Sequence, residues 1–296
     1  MKKFICILMI FVLAFSLFAC SNGDDSDKKD NDKNVGKIDK ADDNTVTQQK
    51  KPEHPTIEET VLFEESGLKV TALSVEYDDV YGTVGVNLLI ENNMGYDIEL
   101  HSWNGGVNGY MMDISYFTEV KNGESVNSTF NFSGGEINRC NIDVVTYFEF
   151  KFKVAKTTGA FVHTTDTIKL ETSAYNTHQV DYSVEGTVIY DKNDVRIVAK
   201  EILTDNYCTH IFVENKSNNS IRLQDKETYV NGIEFASFCQ STYVPKDRYG
   251  VFLVEYSTSD MEDNNITEIN EIKISFEIED EYMNTFDTTE LVTLIP

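Results

Sequence analysis

The chain has 296 residues, 11% of them aromatic and 41% hydrophobic, and a formal net charge of −25. Length and composition suit one or two folded domains, each able to bury its own core, and not a disordered chain. The charge excludes nucleic acid as a partner, because an acidic surface repels phosphate; it also disfavours direct adhesion to anionic lipid and suits an exported protein kept soluble by its charge.

The chain opens on Met1-Lys-Lys, and Phe4 to Ala19 is almost entirely apolar. That run is shorter than the roughly 20 residues a membrane span needs, so residues 1–19 read as a signal peptide. Its end, Leu17-Phe18-Ala19-Cys20, resembles the lipobox of bacterial lipoproteins. The resemblance implies that the Cys20 thiol takes a diacylglycerol and becomes the N-terminus. It places the protein, lipid-anchored, on the extracytoplasmic face of the bacterial cell membrane.

Residues 20–56 are dominated by Asp, Asn, Lys, Gln and Ser, with almost no large apolar side chain. Such a stretch cannot bury enough surface to offset its ordering entropy, and the sequence predicts a disordered linker. About 35 flexible residues average roughly 30 Å end to end and reach about 115 Å at full extension. Asp30 to Gly36 superficially matches a calcium loop, but Val35 stands where the loop needs Gly and Ala41 where it needs the bidentate Glu.

The body of the chain is one pattern written twice. Thr60-Val-Leu-Phe-Glu-Glu-Ser-Gly-Leu-Lys-Val-Thr-Ala72 returns without a gap as Thr187-Val-Ile-Tyr-Asp-Lys-Asn-Asp-Val-Arg-Ile-Val-Ala199. Each copy predicts a strand, a tight turn and a second strand. Glu91-Asn92 returns as Glu214-Asn215 at the end of the next strand, starting a turn. Val107-Asn108-Gly109-Tyr110 returns as Val230-Asn231-Gly232-Ile233, and Asn-Gly between β-favouring residues predicts a type I′ hairpin. Phe148, Phe150, Phe152 and Val154 alternate with polar residues, as do Ile272, Ile274, Phe276 and Ile278, so each run is a strand with one buried face. About seven short strands per copy, with no amphipathic helix, predict an all-β protein of two tandem immunoglobulin-like antiparallel β-sandwich modules, 57–175 and 182–296; a closed barrel is the alternative.

Thr60-Val-Leu-Phe, Leu88-Leu-Ile-Glu-Asn-Asn, Val107-Asn-Gly-Tyr and Phe148-Glu-Phe-Lys-Phe resemble the immunoglobulin-like modules of uncharacterised surface lipoproteins from Gram-positive, clostridia-like bacteria. The resemblance covers both copies, the first more clearly. It implies an extracytoplasmic β-sandwich and transfers no functional residue.

Motifs for catalysis are missing from the sequence: it contains no HExxH, GxSxG, phosphate loop or GxGxxG. The five histidines show no ligand spacing, and no metal or cofactor is expected. Outside the leader the cysteines are Cys140, Cys208 and Cys239, either buried free thiols or a Cys208–Cys239 pair with one left over. The acidic runs Asp260-Met-Glu-Asp263 and Glu277-Ile-Glu-Asp-Glu281 read as solvated loops, with calcium binding the lesser alternative.

One stretch, His101 to Asp113, combines the sole Trp with glycines, a Tyr and two Met. A loop carrying His101, Trp103, Asn104 and Tyr110 could stack on a sugar or a peptide; otherwise Trp103 plugs the end of the sandwich and the glycines shape turns. The expectation is therefore a non-enzymatic, lipid-anchored binding or adaptor protein whose partner is another cell-envelope protein. The alternative is a wall-glycan or small-solute receptor using the Trp103 loop.

Overall fold

The alternation of apolar and polar residues produces strands along the whole body. The structure, a computed structural model, describes residues 54–235, 237–239 and 243–296, with only the backbone at Asn104, Asp205 and 237–239. The signal peptide, Cys20 and the linker up to residue 53 lie outside the described residues. His54 to Thr56, placed in the linker by composition, are held: the His54 ring stacks on Tyr77 at 4.3 Å and its Nε2 lies 2.7 Å from Asp79 Oδ1. Thr56 exchanges hydrogen bonds with Ser173.

The first half contains β1 (Thr60–Glu65), β2 (Leu68–Tyr77), β3 (Val84–Asn92), β4 (Ile98–Val107), β5 (Tyr110–Val120), β6 (Ser125–Phe132), α1 (Gly134–Arg139), β7 (Tyr147–Phe150), β8 (Lys153–Lys156), β9 (Phe161–Thr164) and β10 (Ile168–Glu171). The second contains β11 (Thr187–Lys192), β12 (Val195–Leu203), β13 (Cys208–Asn215), β14 (Ile221–Val230), β15 (Ile233–Glu234), β16 (Ser237–Cys239), β17 (Tyr243–Val244), β18 (Arg248–Tyr256), α2 (Thr258–Asp263), β19 (Ile272–Glu279), β20 (Thr285–Thr288) and β21 (Val292–Leu294). The protein is all-β. Its strands form three sheets, of order β1-β2-β3-β6, β10-β7-β4-β5-β18-β13-β12-β11, and β15-β14-β19-β20. The long middle sheet also takes β8, β9 and β16, and the third sheet takes β17 and β21.

The duplication survives in geometric detail. The β1–β2 register slips between Val61 and Phe63, and β2–β3 between Ala72 and Ser74. The same slips recur at Val188/Tyr190 and Ala199/Glu201. Both opening hairpins turn through two left-handed residues, Ser66-Gly67 and Asn193-Asp194. At Gly67 a Cβ would also meet the Asn93 carbonyl oxygen at 2.6 Å, so this copy requires glycine where the other accepts Asp194. Asn108 (φ 54°) and Asn231 (φ 50°) take the left-handed turn that Asn-Gly predicts.

Three asparagine or threonine positions per copy tie loops to strands. Asn92 donates to the Tyr96 and Val120 carbonyls, and Asn215 to those of Asn219 and Val244. The Asn108 Oδ1 accepts from the Thr146 and Tyr147 backbone N–H, while its Nδ2 donates to Val144 O; Asn231 makes the corresponding bonds to Asn270, Glu271 and Glu268. Thr165 Oγ1 accepts from Phe152 N–H, and Thr289 Oγ1 from Phe276 N–H. Each bond satisfies a backbone group that the strand ladders leave over.

Three expectations are corrected. The run from Phe148 to Val154 does not stay one strand: it divides into β7, paired with Gly105–Val107 of β4, and β8, paired with Ile98–His101, with Thr165 holding the Phe152 backbone between them and all four apolar side chains buried. Each half also contains a short helix at the same place, α1 burying Ile137 and α2 burying Met261. The acidic run at Asp260 is thus helical and not a loop. Its first turn suits Asp260, and Ser257 caps it by accepting from the Asp260 N–H.

One core lies between the first sheet and the β4–β8 part of the middle sheet, with Phe130, Phe132, Phe148, Phe150 and Phe152 interlocked at centroid distances of 4.9–6.1 Å. Each fully buried ring contributes on the order of 2–3 kcal/mol. A second core lies between β11, β12, β13 and β18 and the third sheet. The halves meet where β5 pairs with β18, Tyr110 opposite Tyr249 and Gly250 opposite Met111, the one parallel contact among the described strands. The described residues form a single compact unit.

Candidate functional site

The stretch that carries Trp103 is a strand and not a loop. In β4 the side chains of Ile98, Leu100 and Ser102 turn inward, while Glu99, His101 and Trp103 turn outward. Opposite Trp103 the register slips between Ser102 and Asn104, so the one residue faces both Ile114 and Ser115 of β5. Such a bulge re-aims a side chain by twisting the strand locally. The glycines that follow belong to the same strand: a Cβ on Gly105 would sit 2.2 Å from Ile114 Cδ1, so Gly105 admits a close layer of core instead of shaping a turn.

Three neighbouring strands complete the outward face. β5 sets Phe117 opposite His101, and β8 sets Lys153 opposite it on the other side. β9 places Phe161 opposite Ala155. Trp103, Phe117 and Phe161 remain 51%, 54% and 62% exposed. The His101 ring stacks on Trp103 at 5.4 Å and 18°, and lies 5.0 Å from Phe117. Lys153 Nζ sits 5.0 Å above the indole and 6.0 Å from the Phe161 ring. Such cation–π contacts hold the lysine across the patch while its charge stays near water. His101 Nε2 lies 3.1 Å from Glu99 Oε2, and Glu99 pairs across the strands with Glu119. The outcome is a flat aromatic face with one cation at its centre and two carboxylates on one flank.

Of the residues singled out in the sequence, His101 and Trp103 come together on this face, and Asn104 contributes its place in β4. Tyr110 does not join them. It is 3% exposed and lies at the junction of the halves, its ring 5.7 Å from Tyr182, 5.6 Å from Tyr249 and 6.4 Å from Phe212. Burial raises its phenol pKa, and the neighbouring Cys140, Tyr182 and Tyr249 add to the rise. Phe117, Lys153 and Phe161 belong to no motif that the sequence displays. Phe117 nevertheless carries a signal: Tyr110, Met112, Ile114 and Tyr116 alternate inward, which leaves Phe117 as a large apolar residue in the outward register.

The junction contains other polar groups. Arg248 donates through Nε (3.0 Å) and Nη2 (2.5 Å) to Glu149 Oε2. Lys200 Nζ donates to the Arg139 carbonyl at 2.7 Å, and Tyr182 Oη donates to Asn108 O at 2.8 Å.

Cys140 and Cys208 are buried free thiols. Cys239 pairs with Val254 of β18, and Cys208 pairs with Glu255 on its other side, so β18 separates the two cysteines. Two strand spacings make roughly 10 Å, beyond the ~7 Å a disulfide can span between Cα atoms. Among the described residues no three His, Cys, Asp or Glu side chains cluster as metal ligands do, and no helix is long and apolar enough to cross a membrane.

No family model matches this chain, and no curated protein matches it. Among solved structures, the YadV chaperone aligns with 77% of this chain and 100% of its own, at 10% identity and a TM-score of 0.24. A protein of unknown function from Porphyromonas gingivalis W83 aligns with 78% of this chain and 100% of its own, at 9% identity and a TM-score of 0.22. The exo-chitosanase CsxA of Amycolatopsis orientalis aligns with 78% of this chain and 26% of its own, at 11% identity and a TM-score of 0.23. Likenesses this distant define neither a fold family nor an activity for the chain.

Proposed function

We propose that the protein is a lipid-anchored, extracytoplasmic binding or adaptor protein without catalytic activity, built from two tandem immunoglobulin-type sandwiches. The observation that carries the binding role is the exposed face of Trp103, Phe117 and Phe161 around Lys153. Large aromatic side chains grouped on a flat surface are the anchors of protein interfaces, and an isolated soluble protein gains nothing from exposing them together. Anchoring rests on the Leu17-Phe18-Ala19-Cys20 sequence, which lies outside the described residues.

The partner that fits is another envelope protein presenting an apolar patch with a basic edge. The net charge of −25 and the Glu99–Glu119 flank favour such a partner through complementary charge. A wall glycan is the second reading, favoured by the exposed indole. His101 and Lys153 already engage that indole, which leaves less of it for a stacked sugar ring.

Cross-linking on intact cells, followed by mass spectrometry, tests the reading. The expected result is one dominant protein partner that is lost in Trp103→Ala/Phe117→Ser, with folding stability changed by less than about 1 kcal/mol because both residues are half exposed. Quenching of Trp103 fluorescence by wall fragments, with no protein trapped, would establish the glycan reading instead. An undiminished partner in the double variant would remove this face from the interaction.

A further inference from the structure

We propose that the cleft between the two halves binds a small carboxylate whose α-carbon also carries an N–H or O–H donor, the chemistry shared by a free amino acid, a hydroxy acid and the C-terminal residue of a peptide. This site shares no residue with the aromatic face and goes beyond the docking role. The cleft has a volume of about 460 Å³, within the range of small-molecule sites. Glu149 and Lys151 border it from the first half, Lys246 and Arg248 from the second, with Met111 and Pro245 as apolar wall.

Glu149 is the informative residue. Alternation with Phe148 and Phe150 would point it to water, yet the junction leaves it 4% exposed. Arg248 occupies only its Oε2, while Oε1 is buried and has no hydrogen-bond partner. A buried, unpaired carboxylate oxygen is rare in folded proteins and asks for a donor. An ammonium, amide N–H or hydroxyl on a ligand would supply it.

The other end of the ligand follows from charge. Glu149 and Arg248 neutralise each other, so Lys151 and Lys246 leave the cleft rim cationic in a chain whose net charge is −25. Lys246 uses one donor on Asn218 Oδ1 and keeps two. Tyr243 Oη donates to Ser220 Oγ at 2.7 Å, which leaves the Ser220 proton to point elsewhere. A carboxylate meeting the lysines and this hydroxyl leaves its α-N–H or α-O–H donor for Glu149, whose side chain borders the cleft and turns Oε1 to accept it.

Calorimetric titration of the full chain with alanine, lactate, alanylalanine and propionate tests the site. The first three should bind with dissociation constants between about 1 μM and 1 mM. Propionate, which has no donor for Glu149, should bind at least about tenfold more weakly than alanine. Alanylalanine binding better than alanine would identify a peptide end as the source; the reverse would identify the free acid. Lys151→Glu/Lys246→Glu, both exposed and so compatible with folding, should weaken alanine binding by about tenfold or more, and added salt should weaken it in the wild type. Absence of heat with all four compounds to about 10 mM, propionate matching alanine, or a charge-reversed variant binding like wild type would each overturn the proposal.

Discussion

Tyr182 and Tyr249 lie face to face, their ring centroids 4.1 Å apart and their planes 10° from parallel. Tyr182 belongs to the segment joining the halves, and Tyr249 is the second residue of β18, where it pairs with Tyr110. The same Tyr182 hydroxyl donates to Asn108 O, so a single side chain clamps the connector onto both the Asn-Gly turn and the shared sheet. Tyr182→Ala should therefore cost about 2 kcal/mol, measured by urea unfolding at neutral pH. Tyr182→Phe, which keeps the stack, should lose only about 1 kcal/mol. Equal losses in the two variants would show that stacking adds nothing to the joint.

Asn108 and Asn231 make matching hydrogen bonds at different depths. Asn108 is buried and Asn231 exposed. Removing Asn108 leaves buried groups around Thr146 unpaired, whereas water can reach the partners of Asn231. Asn108→Ala should lose about 3 kcal/mol and Asn231→Ala about 1 kcal/mol, the left-handed turn contributing to both. Asn108→Gly, which accepts positive φ, should recover about 1 kcal/mol of the loss. A thermal or chemical unfolding series ranks the three, and equal losses at Asn108 and Asn231 would contradict the burial argument.

Burial pushes the Cys140 thiol up to about 12, against a weaker opposing pull from Arg139, and burial raises Cys208 as well. Neither thiol should react with Ellman's reagent at pH 8 until the protein unfolds. The stability consequence follows from the proton count. Above the ordinary thiol pKa near ~9 the unfolded chain loses these protons while the folded chain keeps them, so stability falls as pH rises from about 9 towards 12. Cys140→Ala should flatten part of that fall. Rapid labelling of Cys140 or Cys208 itself in the native protein at pH 8, located by peptide mapping, would rule out the buried thiolate penalty.

His210 behaves in the opposite sense. Burial lowers its pKa, helped by Arg139 and Lys200, while Glu201 opposes the shift. Its Nδ1 comes within 3.5 Å of Glu201 Oε2 without forming a hydrogen bond. A depressed imidazole means that the unfolded state binds more protons once pH drops below about 6.5, so the protein loses stability as pH falls through that value. His210→Gln should remove this contribution and give a shallower decline between about pH 6.5 and 5. Identical slopes for wild type and variant in urea unfolding would refute it.

Part of the candidate site is legible in the sequence. Trp103 and His101 stand out because the sole Trp lies two residues from a His in an alternating run, and that spacing puts both on one strand face. Grouping Tyr110 with them fails because proximity along the chain is not proximity on a sheet: Tyr110 starts the next strand and turns inward to the junction. Phe161 arrives from β9, some sixty residues after Trp103, and only the β4–β8–β9 ladder brings it alongside.

The sequence by itself determined the local conformations: alternation made the strands, Asn-Gly made the hairpins, and the duplicated pattern carried its bulges and asparagine ties into both halves. These depend on neighbours along the chain, where φ/ψ preference and side-chain period act directly. The tertiary structure alone decided that β5 and β18 merge two sheets into one, that Glu149 is buried with one oxygen unpaired, and that β18 keeps Cys208 and Cys239 apart. An edge strand exposes the same row of N–H and C=O groups to every candidate neighbour, so its partner is chosen by how whole surfaces pack and not by any local run of residues.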